Sequence, residues 1–226
     1  MVIKVHGSLF TACTSRVLAC LHEMELDYEI VPIDFSSQAH KQQPYLSLNP
    51  FGQAPALEDD NITLFESRAI TRYLARKYKD TGTDLLRLNN LTEAAIVETW
   101  MEVESHHYDG PISTIVRQIL INPYFGRVSD EKIIQIEVEK LVKVLDVYEE
   151  RLSKFKYLAG DHFSMADLHH IAYTVLFMKT PKSNLITSRP HLNAWWNDIS
   201  SRPKLIKVVN GLMFRDLGSL NILSKK

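Results

Sequence analysis

Cysteine is scarce in this chain. Cys13 and Cys20 are the only two, and if both lie on one helix they stand seven residues, or about 10 Å, apart. That is too far for a disulfide within the helix. No Cys-x-x-Cys or His-x-x-x-His spacing occurs, and the adjacent pairs His106-His107 and His169-His170 project about 100° apart on a helix. Such pairs do not converge on one ion, so no metal site and no metal cofactor are expected. An excess of one charge is also missing: 26 lysines and arginines meet 27 acidic residues, which leaves no field to hold a nucleic acid or an anionic membrane. Long apolar runs are absent too. The longest, residues 171–178, falls far below the roughly twenty residues of a membrane span, and the N-terminus lacks the charged-then-apolar form of a signal peptide. A soluble, cytoplasmic protein with small or neutral partners is the expectation.

With 226 residues the chain is long enough for two domains. Residues 2–6 alternate as a strand and residues 7–10 turn. Val17, Leu18, Leu21 and Met24 then repeat at helical spacing, and residues 28–33 form a second strand. This strand-helix-strand opening is thioredoxin-like. A polar loop with His40 and Lys41 leads to a proline-led strand at Ala56-Leu57, a turn at Asp59-Asp60-Asn61, a strand at 62–65, and a helix over 68–78 with Ser67 as N-cap. Residues 79–84 are polar and glycine-bearing, as a linker should be, and everything after them reads as helical. One long helix is expected over 91–121, kinked or broken at Gly110-Pro111 and ended by Asn122-Pro123. Ile133, Ile136, Val138, Leu141, Val144, Leu145 and Tyr148 trace the apolar stripe of another helix, which starts near a Ser129-Asp130-Glu131 cap. Ser164-Met165-Ala166-Asp167 reads as a capping box with a structural role, Phe163 stapling the turn. Further helices are expected over 190–200 and 203–214, and no pattern marks the tail. The expected organisation is a first domain at 1–78, a linker at 79–88, a helical domain at 89–216 and a tail at 217–226.

The densest chemistry lies in Asn49-Pro50-Phe51-Gly52-Gln53-Ala54-Pro55-Ala56-Leu57 and Leu64-Phe65-Glu66-Ser67-Arg68-Ala69-Ile70, where a turn, a strand and a helix start follow closely. A proline removes a donor from a ladder, so Pro55 belongs at the beginning or edge of a strand. Gln53 and Ala54 are then left with backbone groups for a ligand, and a cis bond to Pro55 would aim them outward to pair with an extended peptide. A helix start bearing the Ser67 hydroxyl is an anion site.

The order of these residues resembles that of plant phi-class glutathione S-transferases. Residues 140–149 and 157–170 are similar to that family's second domain, so the resemblance covers most of the chain. It implies a thioredoxin-like α/β N-terminal domain, an all-α C-terminal domain, a homodimer, and glutathione as co-substrate with no other cofactor. The implied activity is conjugation of the glutathione thiol to hydrophobic electrophiles in detoxification and stress response. His40 and Lys41 resemble the pair that meets the glycine carboxylate of glutathione. Gln53 and Ala54, before Pro55, would pair with its cysteinyl backbone. Glu66 would take the γ-glutamyl ammonium and Ser67 the γ-glutamyl carboxylate. The second-substrate pocket would draw on Leu9, Phe10, Ile112, Ile115 and Phe177, each of which periodicity also describes as an ordinary core residue.

Conjugation needs a thiolate, whereas an ordinary thiol with pKa about 8.5 is mostly protonated at neutral pH. Each unit of lowering corresponds to about 1.4 kcal/mol, within reach of one hydroxyl donor and the positive end of the first helix. The family places a serine five residues before the arginine of an Arg-Val pair, and counting back from Arg16-Val17 gives Thr11. Threonine supplies the same O–H, adds a methyl and restricts the rotamer; its other reading is a plain N-cap of the first helix. Thr14 and Ser15 are alternative hydroxyls further in. Cys13 stands two places past the catalytic cysteine of the thiol-transferase relatives, where buried packing is expected. Two rival functions stand beside conjugation: a non-catalytic carrier of apolar ligands that keeps the glutathione site, favoured by threonine at position 11, and a glutathione-dependent peroxidase, to which Cys13 would contribute.

Overall fold

A computed structural model describes residues 2–213. Its first unit is built on a sheet of β1 (Ile3–Gly7), β2 (Tyr28–Pro32), β3 (Ala56–Asp59) and β4 (Ile62–Phe65) in the order β2-β1-β3-β4. β1 and β2 are parallel, and the other two pairings are antiparallel. The crossover between β1 and β2 is α1 (Ala12–Glu23), whose Val17, Leu18, Ala19, Cys20 and Leu21 are all buried. β1 runs on through Gly7, which was expected in the turn, because Gly7 carries no Cβ: one built there would lie 2.5 Å from Thr14 Oγ1. Asp59 likewise belongs to β3 instead of the turn. Its buried carboxylate accepts from Lys77 Nζ at 2.8 Å, Tyr73 OH at 3.0 Å and Tyr78 OH at 3.0 Å. These donors lie on or just past α2 (Ser67–Lys77), so the β3–β4 hairpin grips one end of α2 while its other end meets the site.

The first unit ends at Leu86 and the second begins at Arg87. Residues 79–88 include the buried Leu85 and Leu86, so apolar contacts hold part of this connecting segment. The second unit is helical: α3 (Leu91–Val103), α4 (Asp109–Val116), α5 (Asn122–Tyr124), α6 (Glu131–Leu152), α7 (Met165–Leu168), α8 (Ile171–Phe177), α9 (Asn184–Thr187), α10 (Pro190–Ser200) and α11 (Ile206–Met213). The expected tail at 217–226 and the end of the last helix lie outside the described residues.

Two sequence expectations change here. The chain over 91–121 is not one interrupted helix; π-helical turns at Glu104–Tyr108 and Arg117–Ile121 join α3 to α4 and α4 to α5. Pro111 and Pro123 each sit just after such a turn; Pro111 does not break the helical run, which ends at Tyr124, one residue past Pro123. A proline ring clashes with the carbonyl four residues back and lacks the N–H, and a widened turn relieves both demands. The stripe on α6 is also narrower than expected. Ile133 and Ile136 are 37% and 52% exposed. The buried residues are Ile134, Leu141, Leu145, Tyr148 and Leu152, following a seven-residue seam.

The capping box at α7 is present, and it is more than a cap. The buried Asp167 carboxylate takes four donors: Ser164 N–H at 3.0 Å and Ser164 Oγ at 3.1 Å on Oδ2, with Leu158 N–H at 3.0 Å and Trp195 Nε1 at 2.9 Å on Oδ1. One side chain thereby ties α7, the turn before it and α10 together. Burial still outweighs these donors and raises the Asp167 carboxyl above its ordinary pKa.

Candidate functional site

The register of the sheet brings the site segments to one edge. Gly7 at the end of β1 lies beside Pro32 at the end of β2, and His6 pairs with Ala56 at the start of β3, which pairs with Phe65 at the end of β4. Four segments therefore leave or join the sheet at the same end: Ser8–Thr11 after β1, the loop with His40 and Lys41 after β2, Gln53–Pro55 before β3, and Glu66-Ser67 after β4. A parallel crossover and an antiparallel hairpin produce this convergence.

Thr11 occupies the N-cap position of α1 with extended backbone, but its side chain caps no amide. Its hydroxyl lies 3.2 Å from the Ser8 carbonyl and 2.6 Å from Thr14 Oγ1. Thr14 and Ser15 are buried, and Ser15 Oγ donates to the Leu9 carbonyl at 3.0 Å, so that hydroxyl holds the loop. Leu9 and Phe10 on this loop are 48% and 47% exposed. Cys13 is partly exposed, contrary to the expected buried packing, because the first turn of α1 leaves it at the surface. Cys20 is fully buried, and burial, with Glu23 adding to it, pushes its thiol far above the reactive range.

At β3 the Ala54–Pro55 bond is cis, as is Gln43–Pro44. Gln53 is not left with a free carbonyl: Tyr45 OH and Asn49 Nδ2 both donate to it at 2.7 Å. Asn49 also accepts from the Phe51 N–H at 3.0 Å, closing the turn. What remains toward solvent is the exposed Gln53 side chain and the half-buried Ala54. His40 and Lys41 are drawn to this turn. A Cβ on Gly52 would lie 2.6 Å from the His40 carbonyl, and Lys41 Nζ donates to the Phe51 carbonyl at 3.0 Å. The His40 imidazole is pulled below its ordinary pKa by burial and then by Lys41, which keeps it neutral at pH 7.

The N-cap of α2 is Glu66, and Ser67 is its first helical residue, one position on from the expectation. The cause is the backbone of Glu66, at φ 70° and ψ 106°, a conformation that non-glycine residues rarely hold and that clusters at ligand sites. Ser67 is buried, and Arg16 Nη1 donates to its Oγ at 2.8 Å. Ile112, Ile115 and Phe177 are fully buried within the second unit and present no surface to a ligand in this structure.

Family models for the glutathione S-transferase N-terminal and C-terminal domains match residues 1–76 and 111–203. The chain belongs to the glutathione S-transferase family. Glutathione S-transferase F13 of Arabidopsis thaliana is 50% identical over 94% of this chain and 97% of its own length. Among solved structures, glutathione transferase F7 from Populus trichocarpa superimposes with a TM-score of 0.92 at 56% identity, covering 93% of this chain and 99% of that one. Glutathione S-transferase I from maize, solved with an atrazine glutathione conjugate, gives 0.89 at 44% identity, covering 95% and 100%. These relatives fall in the plant phi class that the motif resembles, and the α/β and all-helical units are those of the transferase fold.

This glutathione transferase holds its site segments through contacts that the sequence pattern did not show. Tyr45 and Asn49 fix the Gln53 peptide, Arg16 fixes Ser67, and Thr14 touches Thr11. Asn49 had a signal, since an asparagine two residues before a turn amide favours this hydrogen bond. In the sequence Arg16 stands out only as the marker for Thr11, Thr14 only as an alternative hydroxyl, and Tyr45 not at all, because each acts across a distance along the chain or around a helix that only packing closes.

Proposed function

We propose that this transferase conjugates the thiol of glutathione to hydrophobic electrophilic small molecules. The observation that supports it is the convergence of Thr11, His40-Lys41, Gln53–Pro55 and Glu66-Ser67 at one end of the sheet. Glu66 takes the γ-glutamyl ammonium, while Ser67 and the N-terminal amides of α2 take the γ-glutamyl carboxylate. The exposed side of Gln53 and Ala54, held before Pro55, receives the cysteinyl backbone. His40 and Lys41 receive the glycine carboxylate. Thr11 donates its hydroxyl to the sulfur, which favours the thiolate. The thiolate attacks an electrophilic carbon: a C–S bond forms, the bond to a leaving group such as chloride breaks, and the thiol proton has already passed to solvent. Leu9 and Phe10 offer the apolar surface for the electrophile, consistent with the atrazine conjugate in the maize relative. A homodimer, a cytoplasmic location and a role in detoxification and stress response belong to the same proposal.

The test is a spectrophotometric conjugation assay with glutathione and a chloronitrobenzene. Saturable turnover above the uncatalysed rate is expected; retention on immobilised glutathione without turnover would make the chain a carrier.

The imidazole of His40 gives a second measurement. Its pKa is depressed in the free protein, and an arriving carboxylate favours the charged form and raises it. Between the free and bound values the complex holds more proton, so glutathione binding takes up a fraction of a proton as pH falls below about 6.5. Calorimetry in two buffers of different ionisation enthalpy reads this uptake. It should vanish in His40→Gln; uptake that persists there would place the glycine carboxylate elsewhere.

A further inference from the structure

We propose that Arg16 is a positioning residue for the γ-glutamyl end of glutathione: its guanidinium donates to Ser67 Oγ, which leaves the Ser67 hydrogen for the γ-glutamyl carboxylate and sets a buried positive charge behind it. This rests on the reading of Ser67 given above and adds a residue to it. Chemistry settles the direction of the bond. A guanidinium has five N–H donors and no acceptor, whereas a hydroxyl has one hydrogen to give and two lone pairs with which to accept. Arg16 Nη1 lies 2.8 Å from Ser67 Oγ, so Arg16 is the donor and the Ser67 hydrogen points elsewhere. Among the described residues none accepts that hydrogen. An arriving carboxylate can therefore take it without displacing Arg16.

Three observations favour this role over ordinary packing. Arg16 is fully buried, and a charge away from water acts on a neighbouring anion more strongly than one at the surface. Its placement is fixed by a second contact between the same two helices: Cys20 Sγ lies 3.7 Å from the Thr71 carbonyl, four residues further along each helix than the pair of Arg16 and Ser67. α1 and α2 thus run side by side in the same direction, which holds the guanidinium at the first turn of α2. Ser67 opens α2 and is itself buried, and the amides of a first helical turn have no intrahelical acceptor. The Ser67 hydrogen and these amides offer converging donors to one carboxylate, and donation from a cation polarises the hydroxyl further. The γ-glutamyl group carries an ammonium and a carboxylate on one carbon. A positive charge behind Ser67 accepts the second and repels the first, so Arg16 decides which way round that end is held.

The experiment compares two ligands by calorimetry: glutathione, and γ-aminobutyryl-cysteinylglycine, which keeps the ammonium and lacks the γ-glutamyl carboxylate. The proteins are the parent, Arg16→Met, Arg16→Lys, Ser67→Ala and the double variant of Arg16→Met with Ser67→Ala. The parent should prefer glutathione by about tenfold or more. Methionine keeps the length and loses the donors and the charge, so Arg16→Met should weaken glutathione about tenfold and leave the analogue unchanged. KM for glutathione should rise in parallel with little change in kcat. Ser67→Ala should lose a similar factor and the double variant little more, because the two residues act through one bond. A purely structural Arg16 would lower the melting temperature and shift both ligands by the same factor or neither, which overturns the proposal. If Ser67→Ala loses the preference and Arg16→Met keeps it, the role of Arg16 fails while that of Ser67 stands. If the parent binds both ligands equally, the reading of Ser67 fails and the role of Arg16 falls with it. Should Arg16→Met not fold, Arg16→Lys decides, since an ammonium keeps the charge without the fork of donors. A preference reduced by about threefold there supports the proposal, and a preference equal to the parent's overturns it.

Discussion

Thr11→Ala is expected to lower turnover about thirtyfold, a loss on the order of 2 kcal/mol for one charge-assisted hydrogen bond. The apparent pKa of bound glutathione should rise by more than one unit in the same variant, about 1.4 kcal/mol per unit. KM should barely move, because the carboxylates and the ammonium of glutathione are assigned to other segments of the sheet edge. The structure separates this expectation from a capping defect. The Thr11 hydroxyl accepts from no helix amide, so alanine removes no cap; the loss of its contacts with the Ser8 carbonyl and the buried Thr14 Oγ1 should lower the melting temperature by a few degrees, far less than a loss of turnover of about thirtyfold would need. Thr11→Ser keeps the donor and loosens χ1, and it should match or exceed the parent in turnover. Steady-state kinetics and thiolate absorbance read both effects; parental absorbance in the alanine variant would remove Thr11 from the chemistry.

Asp167→Ala should destabilise the fold by about 3–5 kcal/mol, because it strands several buried donors at once. Those donors are the Ser164 amide and hydroxyl, the Leu158 amide and the Trp195 indole. A fall of about 10 °C in melting temperature follows for a chain of this size. Asp167→Asn should recover little, since its NH2 group must face two of the four donors. The glutathione affinity of the folded fraction should be unchanged, as Asp167 belongs to the second unit and the glutathione segments to the first. A variant as stable as its parent but without activity would move Asp167 out of the scaffold and into the chemistry.

The transferase fold was legible in the sequence because its signals are local. Alternation marked β1, helical spacing marked α1, and the Asp130 and Ser164 caps stood where helices begin. The residues proposed here for the glutathione site were legible as candidates for the same reason, as they sit in short loops whose turn chemistry is written in neighbouring residues. Helix continuity at Pro111 was not legible. A proline reads as a break until the π turn before it is seen, and that turn depends on what the helix packs against. The exposure of Ile133 and Ile136 was hidden likewise, since periodicity names an apolar face without saying how much of it a neighbour covers.

By itself, the sequence determined the strands, the first helix, several later helix starts, the order of the two units and which residues are candidates for the site. Only the tertiary structure decided how those residues are held. β-sheet register placed Gly7, Pro32, Ala56 and Phe65 at one end of the sheet. Packing then brought Arg16 to Ser67, Tyr45 and Asn49 to the Gln53 carbonyl, and four donors to Asp167. The physical reason is that hydrogen-bond direction in a buried site depends on which donors surround an oxygen, and most of those donors come from other turns of the chain.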